Sequence, residues 1–210
     1  MAEKFNLDNV DPRLSKLYTS NKNKREVYDD WAETYDGDVI DKFRYMAHVD
    51  AATIFHQLDI GDDARILDVG CGTGLAGKEL QRLGYQHLDG TDFSEGMLAI
   101  AREQGIYERV FRHDFTQPLE ETGRYDALFS VGLFSFQPPR MEHIHYAIAA
   151  VKSGGLCVIT INGAAWREHD LSEPLKQQAE LHGFTVEAID TIRYLQSEGI
   201  DGRALTIRVP

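Results

Sequence analysis

Two cysteines, no long apolar run and a shortage of basic side chains set the first limits on this 210-residue chain. Cys71 stands among glycines and Cys157 inside an apolar stretch, which speaks against a disulfide framework and leaves too few thiolates for a metal. Asp, Glu and His do not gather at ligand spacing either, so no metal is expected. No apolar segment approaches the ~18 residues needed to cross a bilayer, so no membrane partner is expected. The amino end, Met1-Ala2-Glu3-Lys4-Phe5-Asn6, lacks the basic-then-apolar order of a secretory leader, and a cytoplasmic setting is the expectation. Lys and Arg number 22 against 34 Asp and Glu, a formal net charge of −12. Beyond the short Lys22, Lys24, Arg25 group no basic cluster offsets that charge, which argues against nucleic acid. A small molecule, or a protein side chain, is the remaining kind of ligand. Repeats and low-complexity segments are absent, and the oligomeric state is left open.

What the chain does contain is a series of apolar, β-branched runs after the first sixty residues: Arg65–Val69, His87–Thr91, Val110–Phe115, Tyr125–Val131, Leu156–Ile161, Phe184–Leu195 and Ala204–Val209. Stretches of helical spacing separate most of them. One is Ile144, Ile148 and Val151, read as a helix stopped by Gly154-Gly155. Strand–helix alternation predicts a parallel sheet with helices on both faces. Only Gln196 to Arg203 separates the last two strands, too short for a helical crossover, so they form an antiparallel hairpin. The expected fold is α/β, a mostly parallel seven-stranded Rossmann-like sheet with one antiparallel strand. Residues 1–60 are expected to form a helical amino-terminal cap, with helices over Arg25–Tyr35 and Phe43–Leu58, and 61–210 the core, within one structural domain.

The densest local signal is Ile66-Leu67-Asp68-Val69-Gly70-Cys71-Gly72-Thr73-Gly74, an apolar strand ending in an acid and entering three glycines spaced two apart. Glycine at such a turn lets a ligand approach the backbone. Asp92 stands 20 positions after Gly72, the offset at which a carboxylate accepts ribose hydroxyls. His113-Asp114-Phe115 ends the third strand with an acid and an aromatic suited to adenine, and Phe129-Ser130-Val131-Gly132 ends the fourth with small residues. Gly72-Thr73-Gly74-Leu75-Ala76-Gly77 also matches the dinucleotide fingerprint, but its register is wrong for one. Gly70 holds the place directly after the strand, and Leu75 stands where the third glycine should fall. Asp68 would repel a pyrophosphate yet suit an ammonium or sulfonium. A nicotinamide-dependent oxidoreductase and a cofactor-binding protein without catalysis remain alternatives.

In combination, these motifs resemble the class I S-adenosylmethionine-dependent methyltransferases over about residues 25–210. Tyr125-Asp126-Ala127-Leu128, Lys152-Ser153-Gly154-Gly155 and Tyr28-Asp29-Asp30-Trp31-Ala32-Glu33-Thr34-Tyr35-Asp36 add to the likeness, which is greatest to the Williams–Beuren-region methyltransferase-like group. The resemblance implies S-adenosylmethionine as cofactor, S-adenosylhomocysteine as product, and transfer to N, O or S of a small molecule. It implies that Asp68, Gly70, Cys71, Gly72, Thr73 and Gly74 border the methionine part and ribose. Asp92 holds the ribose, Phe93 and Met97 lie near adenine, Asp114 and Phe115 meet its amino group and ring, and Val131 faces the methionine end. Tyr28 and Tyr35 reach the cofactor from the cap, and Arg44, as a cation on the predicted cap helix, is a candidate for its carboxylate. Substrate-facing candidates are Tyr45 and His48 on that helix, Phe134 and Phe136 after the fourth strand, His143 and Trp166. No catalytic residue is assigned.

Overall fold

The computed structural model describes residues 24–120, 122–135 and 140–210. The first 23 residues of the expected cap, and Phe136 with Gln137, Pro138 and Pro139, lie outside the described residues. Seven strands form one sheet: β1 (Ile66–Val69), β2 (Leu88–Asp92), β3 (Arg109–Arg112), β4 (Tyr125–Ser130), β5 (Val151–Asn162), β6 (Thr185–Leu195) and β7 (Ile200–Arg208). Their order is β3-β2-β1-β4-β5-β7-β6, with β7 antiparallel to both neighbours and every other pair parallel. The helices are α1 (Lys24–Gly37), α2 (Ala47–Gln57), α3 (Leu75–Arg82), α4 (Glu95–Glu103), α5 (Ile144–Ile148), α6 (Gly163–Glu168) and α7 (Ser172–His182). None is long and apolar enough to cross a membrane.

Alternation along β1 builds the layers, because successive side chains of a strand point to opposite faces. Ile66 joins Ala51, Phe55, Leu80, Phe129 and Val158 under α2 and α3. Leu67 and Val69 join Leu128, Cys157, Ile159, Ile144, Ile148 and Leu175 under α5 and α7. All four β1 residues are buried, as a strand covered on both faces requires. The chain winds one way through β1, β2 and β3 and the other way from β4. The crevice beyond the carboxyl ends of β1 and β4 is therefore a topological switch point, where open α/β sheets take ligands.

Several boundaries differ from the sequence reading. The helix expected over Phe43–Leu58 begins only at Ala47: Arg44 has φ +50°, Tyr45 bridges Leu195, and the Met46 N–H donates to the Tyr194 carbonyl at 2.9 Å. Pairing with the end of β6 overrides helical preference there. The Ile144-Ile148-Val151 helix stops at Ile148, and Val151 starts β5 opposite Tyr125. Gly154-Gly155 thus lies inside a strand, where a Cβ on Gly155 would stand 2.6 Å from the Asp126 carbonyl oxygen. β3 ends at Arg112, short of Phe115, and β7 begins at Ile200, ahead of Ala204.

Candidate functional site

The switch point opens into a cleft with about 410 Å³ of empty space, lined by Tyr28, Tyr35, Gly70, Gly72, Asp92, Phe93, Met97, Val131, Gly132 and Leu133. The sequence reading picked eight of these as ligand contacts and noted Gly132 only as a small residue; Leu133 it missed. Leu133 packs where a Cβ on Gly70 would stand, 3.0 Å from its own Cβ, so the first loop glycine and the residue after β4 fit each other. Gly72 is different. Its φ of +54° favours glycine, and a Cβ there would meet nothing within 4 Å, so the loop backbone is bare toward open space.

Asp92 ends β2 buried at this opening. Its Oδ2 accepts from the Gly72 N–H at 3.1 Å and its Oδ1 from the Ser94 N–H at 2.9 Å. Burial raises its carboxyl to about 6 despite these bonds. Asp68, at the end of β1, is fully buried; burial raises it to about 7, against a 2.7 Å hydrogen bond from the Tyr107 hydroxyl. Its Oδ1 has no hydrogen-bond partner among the described residues. Two buried carboxyls of raised affinity for protons beside a glycine loop make a site that gains from a cation.

Tyr107 was not read from the sequence. It lies in the connection from α4 to β3, and a Cβ on Gly77 would collide with its hydroxyl oxygen. Gly77, the last glycine of the dinucleotide-like match, is small because this ring reaches past it to Asp68. Only the close approach in space reveals the connection.

Helix α1 lies across the mouth, held by two of its acids. Asp29 Oδ1 accepts from the Ser94 hydroxyl at 2.5 Å and the Gly96 N–H at 3.0 Å, at the start of α4. Asp36 accepts from the Thr73 hydroxyl and lies 3.8 Å from the Lys78 ammonium. Next to these ties Tyr28 and Tyr35 line the cleft, Tyr28 edge-on to Phe93 with ring centres 5.9 Å apart. Trp31 on the same helix is buried, its indole N–H donating to Asp38 at 2.8 Å.

The other candidates lie away from the lining. Cys71 is buried against Leu98 and Ala101, with its thiol pushed well up by burial. Thr73 is the partner of Asp36, and Gly74 opens α3 with φ +98°. Asp114 is exposed and its Oδ1 accepts from the Thr116 N–H at 3.0 Å, while Phe115 is in the core. Arg44 is exposed and not on a helix, which corrects its assumed position. Phe134 is buried, Trp166 packs against the same core, and His143 stacks on Tyr146 at 5.8 Å. Tyr45 precedes α2 rather than lying on it, and stacks on His48 at 5.5 Å. Burial lowers the His48 imidazole, and its Nδ1 has no partner among the described residues.

Residues 66–155 match the family described as a methyltransferase domain. The chain is 38% identical over 144 residues to human methyltransferase-like protein 27, covering 65% of this chain and 57% of that protein. It is 34% identical over 103 residues to a ubiquinone biosynthesis O-methyltransferase of a Ruegeria species, covering 47% and 41%. It is 29% identical over 164 residues to zebrafish (Danio rerio) EEF1A lysine methyltransferase 2, covering 72% and 67%. The chain thus spans about half the length of the first two relatives. Among solved structures, an S-adenosylmethionine-dependent methyltransferase from Thermotoga maritima shares the fold with a TM-score of 0.64 at 16% identity, covering 88% of this chain and 99% of that one.

Proposed function

We propose that this chain is a class I S-adenosylmethionine-dependent methyltransferase that binds S-adenosylmethionine in this cleft and methylates an N, O or S atom of a small molecule, releasing S-adenosylhomocysteine; the matches to a methyltransferase domain and to methyltransferase relatives support the reading. The observation that carries the reading is Asp92, a buried carboxylate at the end of β2 that holds the bare Gly72 backbone beside the switch point. When bound, the cofactor supplies a methyl carbon made electrophilic by sulfonium, so that a lone pair of the acceptor forms the new bond as the S–C electrons return to sulfur. The residues present fit such a group. Asp92 retains lone pairs for two ribose hydroxyls beyond its backbone bonds. Phe93 and Met97 provide apolar surface for adenine, and Asp68 with its unpartnered oxygen suits the cationic end. Tyr28 and Tyr35 would exclude water from above, and Val131 to Leu133 would line the methyl end. Asp114 keeps one oxygen for the adenine amino group, whereas Phe115 is taken up by the core. The chain's own contribution is alignment and dehydration, and a general base matters only for an acceptor that arrives protonated.

The small-molecule reading draws support from α1, which narrows the approach, and from the ubiquinone-pathway relative. The similarity to a lysine methyltransferase favours a second reading in which a protein side chain is the acceptor. A cytosolic setting agrees with two buried, free cysteines.

Isothermal titration tests the cofactor: S-adenosylmethionine binds at micromolar concentration, a reduced nicotinamide dinucleotide does not, and Asp92→Ala weakens binding at least tenfold. Failure to bind at millimolar concentration, or full affinity in Asp92→Ala, overturns the reading. Release of S-adenosylhomocysteine with the low-molecular-weight fraction of a cell extract supports a small-molecule acceptor; release with the protein fraction alone supports the second reading.

A further inference from the structure

Three glycines make room for one ring. A Cβ on Gly77 would collide with the Tyr107 hydroxyl oxygen, one on Gly90 would stand 3.1 Å from Cγ and Cδ1 of that ring, and one on Gly74 3.5 Å from Cε2. The clearing spans the start of α3 and the middle of β2, and it brings the Tyr107 hydroxyl against the end of β1. There the hydroxyl has two fixed partners. It accepts from the N–H of Gly77, in the first turn of α3 where no intrahelical acceptor exists, so its one proton goes to Asp68 Oδ2, at 2.7 Å. Asp68 Oδ1 is left without a partner, and no Lys, Arg or His pairs with this carboxyl among the described residues. Asp68 stands just before Gly70, which lines the cleft.

Resting on the reading of this cleft as an S-adenosylmethionine site, we propose that Tyr107 is a positioning residue for the cofactor: by occupying Asp68 Oδ2 it fixes the carboxyl, supports its negative charge and reserves Oδ1 for the positively charged methionine end. A hydroxyl that donates to a carboxylate favours the charged form, whereas burial and the charge of Asp92 favour the neutral one. The balance leaves the Asp68 carboxyl at about 7, so near neutral pH the empty site holds a proton part of the time. A cation binds the ionised form, and the proton leaves Asp68 for solvent as the cation arrives. Removing the Tyr107 hydroxyl shifts the balance toward the neutral form. The cofactor is then weakened most at low pH, and hardly at all once the pH is high enough to ionise Asp68 regardless. The other groups near this carboxyl do not substitute for Tyr107. Asp92 on β2 repels its charge, Cys71 in the loop is a thiol pushed well up by burial, and Arg102 on α4, which acts on Cys71, is paired with Glu95. Burial and Asp68 also push the Tyr107 hydroxyl well up, so it remains a donor at every pH of interest.

Isothermal titration of S-adenosylmethionine at pH 6, 7, 8 and 9 into wild type and Tyr107→Phe tests this, because the ratio of the two dissociation constants cancels the titration of the ligand's own amino group. Tyr107→Phe binds at least fivefold more weakly at pH 6 and within twofold of wild type at pH 9. A ratio that is constant across the range, as lost packing alone gives, or one near unity throughout, overturns the proposal. Gly77→Ala reaches the same hydroxyl from the other side, pushing it off Asp68 with the phenol intact, and reproduces the pH-dependent deficit; wild-type affinity at pH 6 in that variant overturns the proposal. A further measurement needs no substitution. In two buffers of different ionisation enthalpy at pH 7, the wild type releases protons as S-adenosylmethionine binds, and binding without release overturns the proposal even where neither variant folds. Failure of the wild type to bind S-adenosylmethionine at any pH is instead a failure of the methyltransferase reading.

Discussion

Asp68 is held in conflict with its surroundings. It is fully buried, one oxygen is bonded to Tyr107 and the other has no partner among the described residues, and the charge of Asp92 adds to the burial that raises it from 3.8 to about 7. A carboxyl whose folded value is raised holds its proton while the unfolded chain has released it. Its contribution to stability is therefore complete below about 3.8 and lost as pH rises through about 7. Asp68→Asn keeps the shape without the charge. The variant is expected to gain on the wild type by about 1–3 kcal/mol between pH 5 and pH 8 in urea unfolding without cofactor. An equal difference at both pH values would refute it. The spacing of Gly72 and Asp92 was legible because strand ends β1 and β2 stand side by side in parallel register, so a fixed interval in sequence becomes a hydrogen bond. Tyr107 and Leu133 were not legible. Each acts through a close approach from another part of the chain, and no spacing rule records that.

At the scale of elements, α1 connects the binding loop to the rest of the cleft. Asp29 caps the start of α4 and Asp36 holds Thr73 of the glycine loop, so Tyr28 and Tyr35 are fixed over the opening from both ends. Hydrogen bonds of this kind contribute about 1 kcal/mol each, and those to a charged partner somewhat more. Releasing both ties in Asp29→Ala/Asp36→Ala is expected to weaken S-adenosylmethionine about tenfold, with faster amide exchange over Lys24–Gly37 and little change across β1 and β4. Unchanged affinity with a loosened α1 would show that the helix does not contribute to the site. The strands themselves were readable because β-branched runs buried on two faces have few alternatives. The helix boundaries were less so. Ile144, Ile148 and Val151 do share one core cluster, as helical spacing requires, yet Val151 reaches it from a strand. The Phe43–Met46 segment gives up helix to pair with β6.

Over the whole molecule the net charge of −12 acts on whatever approaches the cleft. The same imbalance that argued against nucleic acid favours a cationic ligand, and acids near the opening, Asp29, Asp36 and Asp92, continue that field to the site. S-adenosylmethionine carries one positive charge more than S-adenosylhomocysteine, because transfer of the methyl removes the sulfonium. On the proposed function, the field would draw in the methyl donor and hold the spent product less strongly, a bias toward turnover that needs no moving part. Surface attraction of this sort decays over a Debye length of ~10 Å at 0.1 M salt and vanishes at higher ionic strength. Stopped-flow binding from 20 mM to 500 mM sodium chloride is expected to slow S-adenosylmethionine association several-fold, leave its dissociation rate nearly constant, and change S-adenosylhomocysteine association by less than twofold. Equal salt dependence for the two ligands would mean that the charge serves solubility alone and that the cleft's selectivity for sulfonium resides wholly in Asp68 and its immediate contacts.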